Sequence, residues 1–429
     1  MKNKIIYTSL LVWLGLCPGL YAQVNAPGYK MQDSTLMYVN GEGTYLNLGQ
    51  KEKFQFNLNG VLQPGFQNSS VDTAGSSTHS NRMSLNLVRL SLNLAAFNGM
   101  LTVGIKTDFT GTTPILEAWV GFTSRDKHHR LVLGERQTNT NNRLALEDEK
   151  FAAVLGQTLA GKSTDGTVYG GLMQNFVVTT REGGWFYEAN FSINNIRFYP
   201  SVSMTTGKGQ GAFGSEGFQG FKYGGRLDVM PLGDFIKNNA FISQDIYREP
   251  RPKLGIGVAG SYNVKASDPT GTGTGNVVGI YDENGTTAYA NYRKLVADVI
   301  FKYKGFAFVG EYTDASISGS DLYSNAAATT KLTPEAASNK YALGSAFNVQ
   351  VSYVTQNGWS LEGRYTYVTP EFNVQGSIVQ TQHWYTGMVN KYLKNYMFKI
   401  GINSTYIEVD APGGGKYSWI SNLAVQLSF

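Results

Sequence analysis

Cysteine is almost absent from this chain: the single Cys17 falls among its first two dozen residues, so no disulfide can form within it. Charge is also scarce, at 16% Asp, Glu, Lys and Arg in 429 residues. Removing Lys2 and Lys4 from the 36 basic residues leaves 34 against 31 acidic, a net +3, too small to imply a nucleic-acid partner. There are four histidines, His79, His128, His129 and His383. None stands in a pattern with a serine and a carboxylate that would suggest a nucleophile and its base, so an enzyme is not expected, nor a cofactor. Adjacent His128 and His129 would face opposite ways on a strand, which argues against a shared metal. After the first two dozen residues no apolar run approaches the ~18 residues a membrane-spanning helix requires. If this chain enters a membrane, only closed β-strands can satisfy its backbone there.

What the chain does have is glycine and aromatic residues, 50 Gly, 26 Tyr and 23 Phe, the composition of strands and turns. Residues 1–22 carry a basic start, an apolar run from Ile5 to Leu16, and Ala22 before a cut at Gln23, the form of a secretory signal. A lipid attached at Cys17 is the competing reading, disfavoured by the bulk of Leu16. Residues 23–52 are weakly patterned and read as a periplasmic lead-in. From residue 53 onward, strands recur to the end.

The last thirteen residues, YSWISNLAVQLSF, put Tyr417, Trp419, Leu423, Val425, Leu427 and Phe429 on one parity and Asn422, Ala424, Gln426 and Ser428 on the other. That period of two, closing on an aromatic residue, fits the final strand of a transmembrane antiparallel β-barrel. Sixteen strands are expected over 53–429, including one at 167–180, with the polar stretch 67–80 as a loop. A β-bulge is expected near Val88, where the leucine parity slips. Short turns (Asn98-Gly99, Arg125 to His128, Lys304-Gly305, Asn357-Gly358, Lys394-Asn395) alternate with long polar loops, the asymmetry of an outer-membrane barrel. Two places fit badly: the long connection Pro231 to Pro252 on the short-turn side, and Trp185 to Asn194, which looks like an extra strand.

The segments LEAWVGF (116–122), GRLDVMPLGDF (225–235), PKLGIGVAGSYN (252–263), ADVIFKYKGFAFVGEY (297–312) and GWSLEGRYTYVTP (358–370), in this order, resemble the phosphate-selective porin O and P family. The resemblance implies a sixteen-stranded barrel of a Gram-negative outer membrane, usually a homotrimer, passing small anions, phosphate among them, through a lumen lined by basic side chains. The chain departs from the family's pattern at Val88-Arg89, where two adjacent arginines are usual, and at Gly134-Glu135-Arg136-Gln137.

Strand parity then assigns charges to the lumen, since Arg or Lys facing lipid near the midplane costs about 2–4 kcal/mol. It places Lys106, Lys222, Arg226, Lys302, Arg364 and Lys399 inward, with Arg89, Arg130 and Arg136 less firmly phased. Asp108, Glu117, Asp228, Asp298, Glu311 and Glu362 face inward by the same rule. Nine cations against six carboxylates imply a mild anion preference; mutual pairing that merely keeps the lumen wet is the competing reading. The long loop 138–166 is expected to fold inward and narrow the lumen, with a helical turn over Leu144 to Leu155 capped by Asn142. Arg143 and Lys150 would be its cations, offset by Glu147, Asp148 and Glu149. Two phosphate-binding patterns, GQTLAGKS at 156–163 and GQGAFG at 209–214, lack the strand-then-helix setting that aims amides at phosphate, and are set aside.

Overall fold

The computed structural model describes residues 34–49, 54–73, 75–110, 114–152, 176, 180–209, 211, 220–270, 276–319, 321–394 and 396–429. Nineteen strands occur among them: β1 (Ser34–Val39), β2 (Gly43–Leu48), β3 (Phe54–Thr73), β4 (Ser76–Ala96), β5 (Leu101–Asp108), β6 (Ile115–Thr123), β7 (His129–Gln137), β8 (Arg181–Ala189), β9 (Phe191–Ile193) and β10 (Ile196–Thr205). The second half supplies β11 (Lys222–Met230), β12 (Lys253–Asn263), β13 (Asn291–Tyr303), β14 (Phe306–Ser318), β15 (Gly344–Val354), β16 (Trp359–Pro370), β17 (Thr381–Leu393), β18 (Phe398–Asp410) and β19 (Lys416–Ser428).

From β3 onward each strand pairs antiparallel with the next, β8 and β9 standing in one place in the wall, and β19 pairs with β3, so the sheet closes. β8 and β9 both pair with β10 and form one interrupted wall strand, which makes sixteen. Closure is completed at the chain end, where the Phe429 N–H donates to Gly60 O at 3.0 Å and the Gly60 N–H to Phe429 O at 2.7 Å. A Cβ on Gly60 would overlap the Phe429 ring, so a glycine is required there for the aromatic terminus to lie against β3. Among the described residues no helix is long and apolar enough to cross a membrane, and the strands alone provide the wall.

The alternation expected of β19 is present: Trp419 and Leu423 are exposed on the outside while Asn422, Gln426 and Ser428 are buried inside. Around β15–β19 the outer face carries a row of rings at one level, running Phe347, Tyr365, Tyr385, Tyr406 and Trp419, with neighbouring centroids 5.1–6.3 Å apart. Such a row is the aromatic girdle that marks a lipid interface. The bulge lies in β4, where Gln63 pairs Leu87 but Pro64 pairs Leu85, leaving Asn86 extra. It turns Leu85 outward and Leu87 inward, although the two share a parity in the sequence.

Two expectations are corrected, and a segment whose structure the sequence left open is filled in. The polar stretch 67–80 is mostly strand: β3 runs to Thr73 and remains paired with β19 up to Thr73–Lys416. Its side chains are polar because this part of the wall rises beyond the apolar belt, where backbone pairing needs no greasy face. The strand expected at 167–180 lies almost wholly outside the described residues, and the partner of β7 is β8, Arg181–Ala189. Gly183-Gly184 gives that segment the look of a turn, but Trp185 and Tyr187 face out while Glu182 and Phe186 are buried. Finally, the lead-in contains the hairpin β1–β2, whose second strand pairs with the start of β3.

Candidate functional site: the barrel interior

Two chain segments enter the barrel. From the end with long loops comes 138–152, after β7; from the end with short turns comes 231–252, between β11 and β12. The first contains one 3-10 turn, Leu144–Leu146, in place of the longer helical turn expected, because Glu147 leaves the turn in extended conformation. Asn142 does not cap it with its side chain; its amide oxygen accepts from Thr313 Oγ1 instead.

This segment is pinned by charge. Arg143 is fully buried, with Nε donating to Asp298 at 2.8 Å, Nη2 to Asp228, and Nη1 to Ala240 O at 3.2 Å. Arg226 shares both carboxylates, its Nε 2.7 Å from Asp228 and Nη2 2.9 Å from Asp298. A Cβ at residue 257 would occupy the place of that guanidinium, so Gly257 on the neighbouring strand makes the cluster sterically possible. Two arginines and two carboxylates in a buried site satisfy each other, the condition under which such charges are tolerated. Glu311 accepts the Leu144 N–H at 2.8 Å.

The second segment is built as a platform. Asp245 and Glu249, both buried, accept from Asn239 Nδ2 at 2.8 and 3.0 Å, and Glu249 also takes the Ile236 N–H at 2.9 Å. Lys302 donates to Asn239 O, Asn239 Oδ1 and Gln244 O at 2.6–2.7 Å. The two segments meet where Glu147 accepts both the N–H and the hydroxyl of Ser243, at 2.6 and 2.9 Å. Burial pushes the Glu147 carboxyl up to about 7, against the lowering pull of the Ser243 hydrogen bonds and of Arg364 and Lys399. For Glu149 burial acts upward too, yet Lys106, Arg89 and Arg181 hold its carboxyl well below the usual range. Phe151, Ile242, Tyr392 and Tyr396 pack together beside this junction.

The ten basic residues singled out in the sequence are distributed as follows. Arg89 pairs with Asp108 at 2.8 Å, Lys106 with Glu149 at 3.0 Å, and Lys222 with Glu182 at 2.5 Å. Arg130 and Arg136 share Glu188, at 3.3 and 2.7 Å. Arg143 and Arg226 form the central cluster, and Arg364 donates to Gln350 Oε1 at 2.9 Å. Lys302 and Lys399 are spent on backbone carbonyls, Lys399 on Ala152 O at 2.7 Å. They hold the entering segments to the wall. The phosphate pattern at 156–163 lies outside the described residues, as do all but Gly209 and Gly211 of the other. His128 and His129 sit at a short turn, beside Asn190 and Tyr187, while His383 lies against Tyr365 in the aromatic row.

Space remains along the β4–β11 side of the wall, in two chambers of about 710 and 840 Å³. Both border Gln137, Leu146, Lys237 and Phe241. Each is charge-balanced: Arg136, Arg226 and Lys237 face Glu188, Asp228 and Asp234 in one, and Lys106, Lys150 and Lys237 face Glu42, Glu117 and Asp148 in the other. Lys237 was missed in the sequence; its only signal was the anomalous length of the connection that carries it.

A closed sixteen-stranded antiparallel barrel with an apolar outside and a polar, partly filled inside defines the class: a transmembrane β-barrel. No protein-family description matches the chain, and no curated protein does. Among solved structures, the outer membrane channel DcaP of Acinetobacter baumannii is similar at TM-score 0.50 and 14% identity, over 88% of this chain and 97% of that one. An anion-selective porin from Comamonas acidovorans gives 0.49 and 10%, over 88% and 100%. Salmonella typhi OmpF, in complex with daunomycin, gives 0.49 and 12%, over 92% and 100%. The likeness to DcaP shows the fold, a closed antiparallel barrel.

Proposed function

We propose that the chain is a passive diffusion porin of a Gram-negative outer membrane, admitting small polar solutes. The observation that carries this reading is the pair of adjoining chambers, each bordered by charged side chains, inside a barrel whose outer face is apolar. The finer reading is a preference for small anions, phosphate among them. Its anion preference, though not phosphate in particular, draws support from Lys237, which borders both chambers and has no carboxylate partner among the described residues. The balanced lining favours the second reading, a porin of weak selectivity. In either reading 138–152 and 231–252 together narrow the passage, the basic residues above act mainly by positioning them, residues 1–22 are a secretory signal and the working unit is a homotrimer.

The test is current through the refolded protein in a planar bilayer under a KCl gradient. A reversal potential on the chloride side that shifts when phosphate is added supports the anion reading, and one near zero supports the unselective pore. Absence of current with a folded, heat-modifiable barrel would leave a plugged structural barrel instead. Migration of the unheated protein at three times the monomer mass tests the trimer.

A further inference from the structure

The basic residues expected to line the passage are mostly engaged, so the question is which cation a passing solute can reach. Five border the chambers. Lys106, Arg136 and Arg226 stand in ion pairs with Glu149, Glu188 and Asp228. Lys150 borders one chamber only and lies over the Phe151 ring. Lys237 is exposed, borders both, and has as its neighbour the Tyr247 ring, 5.2 Å from its ammonium to the centroid.

The backbone at Lys237 is left-handed, with φ of +46°, a conformation uncommon for a residue with a long side chain. It is held there by the platform on both sides: the Ile236 N–H on Glu249, and Asn239 on Asp245, Glu249 and Lys302. The other residues bordering both chambers are one amide, Gln137, and two apolar side chains, Leu146 and Phe241.

We infer that Lys237 is the specificity-determining residue of the passage, and that the solutes it favours are monoanions with an apolar body, short-chain monocarboxylates, over multiply charged inorganic anions. Among the described residues that border both chambers Lys237 is the one cation, so a solute at that junction has one negative charge neutralised, and the second charge of hydrogen phosphate would meet an amide and hydrocarbon. The apolar tail of a carboxylate would lie against Phe241 and Leu146, surfaces that give hydrated phosphate nothing. This inference rests on the diffusion-pore reading and deepens it.

The experiment is bi-ionic reversal potential across a planar bilayer, with chloride, butyrate or hydrogen phosphate opposed at equal activity, for the natural chain and for Lys237→Gln and Lys237→Glu. Lys331→Gln, a loop lysine paired with Asp321, serves as the control of equal charge change. Butyrate should be more permeant than hydrogen phosphate in the natural chain. Lys237→Gln should lower the anion-to-cation permeability ratio by about an order of magnitude, since one unit charge some 5 Å away in a water-filled passage favours an anion about fourfold and disfavours a cation by the same factor. Lys237→Glu should make the pore cation-preferring, while Lys331→Gln changes nothing. Higher permeability for hydrogen phosphate, or ratios unmoved by both Lys237 variants in a conducting channel, overturns the inference. No current from the natural chain overturns the pore reading itself, a distinct result.

Discussion

Arg143 ties the entering segment 138–152 to two neighbouring parts of the wall, through Asp228 on β11 and Asp298 on β13. Removing one partner of a buried pair leaves charge without compensation, at a cost of about 3–5 kcal/mol. Arg143→Met should therefore lower stability in detergent by that order in urea unfolding and raise single-channel conductance as the segment loosens. Adding Asp298→Asn, which leaves Arg226 balanced by Asp228, should recover part of the stability but not the original conductance. Glu147 gives a pH dependence of definite sign. Its carboxyl, near 7 when folded and near the ordinary carboxylate value when unfolded, binds more protons in the folded state between those limits. Stability should fall as pH rises from about 4.5 to 7, by up to about 1.4 kcal/mol per unit, and level off above. Glu147→Gln should remove that slope and leave the protein more stable at pH 8, read from thermal unfolding at pH 5 and pH 8.

Among the elements, β19 obeys the rule from which it was read in the sequence, one face to lipid and one inward. Leu423 is outward at mid-strand, so Leu423→Arg should cost about 2–4 kcal/mol in reversible unfolding from lipid vesicles. Had the parity been misassigned, the substitution would be nearly silent. Most strands were legible in this way because lipid imposes a period of two on each. β8 was legible only in part: Trp185 to Asn194 showed as an extra strand, as β8 and β9 are, but the paired glycines 183–184 hid its start and its upstream neighbour, rich in strand-forming residues, took its place in the count. The upper halves of β3 and β4 were not legible, since polar strands outside lipid have the composition of loops. The site residues were legible as to parity, but their partners come from loops distant in sequence: Lys399 binds a carbonyl of Ala152, and Lys302 binds Asn239 and Gln244.

Seen whole, the molecule is a barrel filled unevenly. Segment 231–252 packs against β13, β16 and segment 138–152, leaving the open chambers toward β4–β11. Replacing 231–252 with a short turn should keep the barrel heat-modifiable while raising conductance several-fold, measured in a planar bilayer. An unchanged conductance would mean that 138–152 alone limits the current.

By itself the sequence determined the wall: strand period, strand number, the alternation of short and long connections, and the inward direction of its basic residues. Those features follow from lipid acting on each strand separately, so they are written locally. Tertiary structure decided which of those charges a solute can meet. Pairing depends on loops that return across more than a hundred residues, as Arg143 does to Asp298, and no local pattern encodes such a meeting. Lys237, the cation we propose a solute meets, lies in a segment whose only mark in the sequence was being too long for a turn, because its inward course is fixed by contacts with the opposite wall.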